Sequence, residues 1–257
     1  MPGILFDLDG VIYNADEPIA GAAEAVAWVR GRGIPHLFVT NTTSRGAEVI
    51  AEKLRRFGIP CDASEILTPP RATAEWLAGQ PRGPLALFVP PKTQGEFVGF
   101  EVLPENADTG AAYVVIGDLG ERWDFRTLNR AFRLLHHNPD ARLIALGMTR
   151  YWQAPDGVRL DTAPFVVALE HATGRRAMVL GKPSPEFFEV AVARLDLPAG
   201  DVLMVGDDIR ADIAGAQGAG LKTALVRTGK FRASDLDEGI VPDFVLDSVA
   251  DVQELFG

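Results

Sequence analysis

A chain of 257 residues, 47% hydrophobic and 23% charged, is long and apolar enough to bury one large core or two modest ones. Its formal net charge of -10 argues against nucleic acid or an anionic membrane surface as the main partner, though not against a small anionic substrate held by a local cation. Cys61 is the only cysteine, which excludes an intrachain disulfide. No apolar run approaches the ~20 residues of a bilayer span. The N-terminus enters a strand directly, without a basic region and a following apolar segment, so the expected location is the cytoplasm.

In chain order, the run Ile4, Leu5, Phe6 is too short for a helix and reads as a buried strand that delivers Asp7, Asp9 and Gly10. Alternation along an extended backbone sends Asp7 and Asp9 to one side and Leu8 to the other. Two acids held that close repel unless a cation neutralises them or one keeps its proton. The stretch therefore suggests a divalent metal site with an acid free for proton transfer; an Asp-Gly hairpin turn is the alternative.

A helix over 22–32 carries Ala22, Val26 and Val29 on one face and stops at Gly33. A second apolar run over 34–39 ends in Thr40 and Asn41. Ser44 can cap a helix in which Val49, Ile50, Leu54 and Phe57 recur at helical spacing, and another helix follows Pro69 and Pro70. Strand and helix alternating in this way point to a right-handed parallel sheet with helices outside.

The turn formers over 79–84 then mark a linker. Beyond them come strands over 85–89, 112–116 and 143–146, with helices over 125–136 and 164–171. This block reads as a small α/β module inserted into the first fold, because the same grammar resumes afterwards. A run over 178–180 delivers Lys182, a helix spans 185–195, and a strand over 202–205 breaks into Gly206, Asp207, Asp208 and Asp212. A helix over 213–219 and strands over 223–226 and 244–246 close the chain. The expected division is a core of 1–80 and 178–257 and an inserted module of 81–177.

Four apolar runs thus end in polar residues: Asp7/Asp9, Thr40/Asn41, Lys182 and Asp207/Asp208. If all four share one parallel sheet, these residues converge on the crevice at the carboxyl ends of its strands. Grouped carboxylates make a hard oxygen site suited to Mg²⁺, Lys182 supplies a point charge for a phosphoryl oxygen, and Thr40 and Asn41 offer neutral donors. Read singly, Asp207 and Asp208 are equally an ordinary helix N-terminus. Trp123, Phe125, Phe132, Tyr151 and Trp152 read as core of the inserted module before they read as a substrate platform, and Cys61 as inert.

Asp7-Leu8-Asp9-Gly10, Thr40-Asn41, Gly181-Lys182-Pro183 and Gly206-Asp207-Asp208 with Asp212 resemble, in order, the four motifs of the haloacid dehalogenase superfamily of phosphohydrolases. The insertion between the second and third resembles the cap of its NagD-like subfamily (IIA). The fold implied is a doubly wound, Rossmann-like α/β core with an inserted α/β cap of the C2 type. The resemblance implies Asp7 as nucleophile, Asp9 as general acid and base, and Mg²⁺ held by Asp7, the backbone carbonyl of Asp9 and Asp207. Asp208 and Asp212 would orient metal waters or Lys182, while Thr40, Asn41 and Lys182 would bind the phosphoryl group. It implies a small phosphorylated substrate and a homodimer joined through the cap. Two departures stand out: Val11 where many relatives have Thr, and Thr149-Arg150-Tyr151 where related caps carry Asn-x-Asp, which undermines any transfer of substrate specificity. The rivals are a non-enzymatic phospho-acceptor that binds Mg²⁺, a phosphomutase and a dehalogenase.

Overall fold

The computed structural model describes residues 2–154 and 156–256. The chain begins with β1 (Gly3–Asp7), the small hairpin β2 (Tyr13–Asn14) and β3 (Glu17–Pro18), α1 (Ala22–Gly31), β4 (His36–Val39), α2 (Ala47–Arg56) and β5 (Ile66–Leu67). There follow α3 (Pro69–Ala78), β6 (Leu85–Phe88), β7 (Tyr113–Ile116), α4 (Phe125–His137) and β8 (Arg142–Ala145). A second hairpin, β9 (Tyr151–Ala154) and β10 (Gly157–Leu160), precedes α5 (Thr162–Thr173) and β11 (Met178–Val179). The last stretch holds α6 (Pro185–Leu195), β12 (Val202–Gly206), α7 (Gly215–Gly218), β13 (Lys222–Val226) and β14 (Phe244–Leu246). No helix among the described residues is long and apolar enough to cross a membrane.

Two compact units result, one of Met1–Thr40, Ala47–Thr68 and Lys182–Gly257 and the other of Asn41–Gly46 and Pro69–Gly181. The first is built on a six-stranded sheet in the order β14-β13-β12-β1-β4-β5, with every neighbouring pair parallel. The chain winds outward from β1 through β4 to β5, then returns beside β1 with β12 and winds the other way. That reversal makes the carboxyl end of β1 the switch point of a doubly wound sheet. Residues of β13 alternate in the two faces they serve: Ala224 and Val226 join a core with α1, α2 and Ile4 and Phe6 of β1, while Leu225 packs with Ile209 and Ile213.

In the second unit a four-stranded parallel sheet runs β11-β8-β7-β6. Ala131, Leu134 and Leu135 of α4 and Val166 and Leu169 of α5 cover one face. Leu77 of α3, with Phe97, packs with Leu85, Tyr113 and Val115 in the other cluster. This packing draws α3 into the second unit, which takes up the chain again at Pro69.

Four expectations are corrected. The run over 178–180 does not share the sheet of the other three polar-ended runs: Met178 and Val179 pair with Ile144 and Ala145 of β8, and the Leu180 amide donates to the Ala145 carbonyl. Its apolar character is that of any parallel strand, and composition carries no information about which sheet it joins. The segment after β12 is a π-helical turn, Ile209–Ala214, followed by short α7, and it begins four residues before the expected helix. Among the aromatics, Trp123 stacks between Phe88 and Phe165, but Phe125, Tyr151 and Trp152 are exposed. On α2, Val49 is likewise exposed, and the buried face is Ala47, Ile50, Ala51, Lys53 and Leu54.

Candidate active site

Sheet register sets the geometry of the site. Asp7 is the last residue of β1 and faces Val39 of β4 across the ladder. On the other side Phe6 pairs with Val205, which puts Gly206 beside Asp7 and Asp207 one residue beyond. Thr40 likewise stands one residue past the partner of Asp7; it is buried, and its amide donates to the Leu67 carbonyl at 3.2 Å. Three strand ends therefore present Asp7, Thr40 and Asp207 at the switch point.

Lys182 reaches this place from the connection out of β11. Its ammonium donates to Asp7 Oδ1 at 2.6 Å and to Asp212 Oδ1 at 2.7 Å, and all three side chains are buried. The π-helical turn carries Asp212 inward, where its second oxygen accepts the Asp208 amide at 3.1 Å. Close packing allows this only because residue 206 is glycine, since a Cβ there would lie 2.3 Å from the Asp212 Cβ. Among the described residues, Asp7, Asp207 and Asp212 form a group of carboxylates whose oxygens lie within 4.8 Å of one another.

The electrostatics follow from burial. Burial pushes the Asp7 carboxyl up, the Lys182 charge opposes that, and the neighbouring Asp207 adds to it, leaving the pKa raised. Burial likewise lifts Asp207 to about 6, against the opposing hydrogen bond from the Lys230 amide. Asp212 also rises to about 6, through burial and then the Asp7 charge. Burial alone would lower the Lys182 pKa, but Asp212 and Asp7 outweigh it and keep the ammonium charged. One lysine does not neutralise three buried acids.

Asp207 completes the description. Its Oδ2 accepts the Lys230 amide at 2.6 Å, whereas its buried Oδ1 has no hydrogen-bond partner. A buried carboxylate oxygen left open beside a second carboxylate is the arrangement a hard cation satisfies. Both oxygens of Asp212 are engaged, so that residue fits the anchoring of Lys182 better than the ligation of a metal. Asp7 and Asp207 fit ligation.

The other expected residues are placed differently. The chain does not continue extended past Asp7: the amides of Val11, Ile12 and Tyr13 all turn back to the Leu8 carbonyl, at 3.3, 2.9 and 3.1 Å. Leu8 is buried in the core and Asp9 is exposed, outside the acid cluster. Asp208 caps the π-helical turn, with Oδ1 accepting the amides of Arg210 and Ala211 at 3.0 and 2.9 Å. Asn41 belongs to the second unit, where its Oδ1 lies beside Gly181.

Sequence reasoning gave no role to the loop Thr228-Gly229-Lys230. Thr228 Oγ1 donates to the Gly10 carbonyl, and the Lys230 amide fixes Asp207. Gly229, at φ +63, and Gly10, at φ +87, approach each other so closely that a Cβ on residue 229 would fall 2.1 Å from Asp207 Oδ2 and 2.4 Å from the Gly10 Cα. A glycine between polar residues after a strand was the available signal, but it is shared with ordinary turns. Cys61 is buried and its thiol is pushed up to about 12 by that burial, which leaves it unreactive.

A family model described as haloacid dehalogenase-like hydrolase matches residues 4–98, and a second, described as HAD-hydrolase-like, matches residues 179–252. Human phospholysine phosphohistidine inorganic pyrophosphate phosphatase is 35% identical over 258 residues, covering 98% of this chain and 93% of the relative. Among solved structures, a p-nitrophenyl phosphatase from Archaeoglobus fulgidus is 31% identical with a TM-score of 0.89, over 99% of this chain and 98% of its own. NagD from E. coli K-12, 24% identical, shares the fold at a TM-score of 0.88 over 98% of each chain.

Proposed function

We propose a reaction for this chain on one premise: it belongs to the haloacid dehalogenase-like hydrolases, in their NagD-like subfamily, and is a phosphatase. The reading is a Mg²⁺-dependent hydrolysis of small phosphorylated compounds through an aspartyl-phosphate on Asp7. The observation that carries it is the open, buried Oδ1 of Asp207 beside the carboxylate of Asp7.

Mg²⁺, held by Asp7, Asp207 and the Asp9 carbonyl, would neutralise the phosphate dianion that these acids otherwise repel. A carboxylate oxygen of Asp7 attacks phosphorus in line, and the bond to the leaving oxygen breaks. Asp9, on the exposed turn beyond the cluster, gives that oxygen its proton. It then takes one from the water that attacks phosphorus, releasing inorganic phosphate and restoring Asp7. Lys182, fixed by Asp212, keeps a positive charge beside the phosphoryl oxygens, and Thr40 and Asn41 are the neutral donors of the same reading. In this scheme residues 1–80 and 178–257 form the catalytic core, and 81–177 form a cap that selects the leaving group and supplies a homodimer contact. Phosphate monoesters, pyrophosphate and phosphorylated side-chain amines are the substrate classes to compare.

Hydrolysis of p-nitrophenyl phosphate should disappear with EDTA and return with added Mg²⁺; activity that survives chelation would contradict the metal-dependent reading. The metal and a proton compete for Asp207. The Mg²⁺ concentration giving half-maximal rate should therefore climb as pH falls through about 6, where that carboxyl protonates in the metal-free protein. A half-saturation constant flat from pH 8 to 5 would contradict the assignment of Asp207.

Gly229→Ala tests the loop that holds Asp207. The new Cβ meets a carboxylate and backbone, neither of which can swing aside, at a φ that costs a non-glycine residue about 1–2 kcal/mol. Mg²⁺ half-saturation should weaken by roughly 10- to 100-fold, the range for supports of a metal ligand, with a much smaller change at saturating metal.

A further inference from the structure

Lys53 sits where α2 buries its apolar face, with a side chain only 8% exposed. An ammonium at that depth is costly to desolvate, and a methionine would fill the space without that cost. Its partners indicate what the charge is for. The Nζ lies 3.9 Å from the centroid of the Tyr13 ring and donates to the Ala15 carbonyl. It also comes within 3.4 Å of Asp16, but that carboxylate is 97% exposed and adds little. Tyr13, Ala15 and Asp16 all belong to the hairpin that follows the acid-bearing turn. Ala15 takes a φ of +48, uncommon for a residue with a Cβ, and Lys53 holds its carbonyl.

The hairpin is tied in turn to Asp9. The Gly10 amide donates to the Tyr13 carbonyl at 2.7 Å, Asp9 and Tyr13 form a β-bridge, and the Tyr13 amide returns to Leu8. Lys53 therefore grips, by its ring, the residue whose backbone fixes the turn around Asp9.

We propose that Lys53 is a positioning residue: through Tyr13 and Ala15 it holds the turn that aims the Asp9 carboxyl at the leaving-group oxygen. The inference rests on the general-acid role proposed for Asp9, and leaving-group dependence tests the two separately. For Lys53→Met, kcat/KM with phenyl phosphate should fall about tenfold or more, because a misaligned acid fails a leaving group that needs its proton. With p-nitrophenyl phosphate, whose leaving group needs little protonation, the fall should stay under about threefold. The ratio kcat/KM is the quantity to compare, since it reports the steps up to phosphoryl transfer to Asp7.

Asp9→Asn should show the same ordering with a wider gap, and Lys53→Arg, which keeps a cation over the ring, should recover most of the phenyl phosphate rate. Should Lys53→Met not fold, Tyr13→Leu removes the same grip and should give the same ordering. Equal losses with both substrates, or none, while Asp9→Asn discriminates between them, overturns the positioning role. An Asp9→Asn enzyme that does not discriminate overturns the general-acid reading and this inference together.

Discussion

Asp7→Asn is expected to lower turnover of an aryl phosphate by at least about a thousandfold, the scale on which loss of a nucleophile is felt. The amide keeps the shape of the carboxylate but cannot form the phosphorylated intermediate. Folding should survive the change. Burial already raises the Asp7 pKa, so its charge is held at a cost, and Lys182 retains Asp212 as a counter-ion when that charge is removed. Thermal melting with activity on the same preparation separates catalysis from stability. Undiminished hydrolysis by a folded Asp7→Asn enzyme would refute the nucleophile assignment.

The second large effect concerns stability. Lys182→Met removes the one ammonium that bridges Asp7 and Asp212, leaving buried carboxylates facing one another. Breaking a buried pair by deleting one partner costs about 3–5 kcal/mol, and activity should be lost with it. The cost should depend on pH in a definite direction. Asp212 in the folded chain already titrates near 6 against an ordinary value of 3.8, and without Lys182 it moves higher. An acid whose folded pKa is raised favours the folded state at low pH, and that contribution is lost as pH rises through the folded value. The deficit of the variant relative to the parent protein should therefore be greatest near pH 8, shrink as pH falls toward about 6, and level off below that, where Asp212 is protonated in both folded proteins. A difference in melting temperature that stays constant over that range would show that the carboxylates do not carry the penalty.

Much of this chain can be read from local pattern. Apolar runs bounded by turn formers located β1, β4, β6, β7, β8, β12, β13 and β14 to within a residue or two, and α6 spans Pro185–Leu195 as expected. The alternation of strand and helix implied a parallel sheet with helices outside and the family resemblance a doubly wound core, and the six-stranded parallel sheet bears both out. Helix-face predictions were weaker. Val49 fits the helical period yet is exposed, and Lys53 breaks the pattern yet is buried, because an ammonium can be satisfied by a ring face and a carbonyl brought from elsewhere in the chain.

The sequence by itself determined the residue chemistry of the site: Asp7, Lys182, Asp207 and Asp212 are fixed by type, and short buried strands followed by polar residues are sufficient to place Asp7, Thr40 and Asp207 at sheet ends. Tertiary structure alone decided how they meet. It sent β11 to the second sheet and so delivered Lys182 by a connection, made Asp208 a helix cap, turned Asp212 inward, left Asp9 on an exposed turn, and brought Gly229 against Asp207. The physical reason is one of range. Period, propensity and capping are set by neighbours within a few residues, whereas sheet membership, burial and charge pairing depend on contacts such as Lys182 with Asp7, separated by 175 positions, that no local pattern encodes.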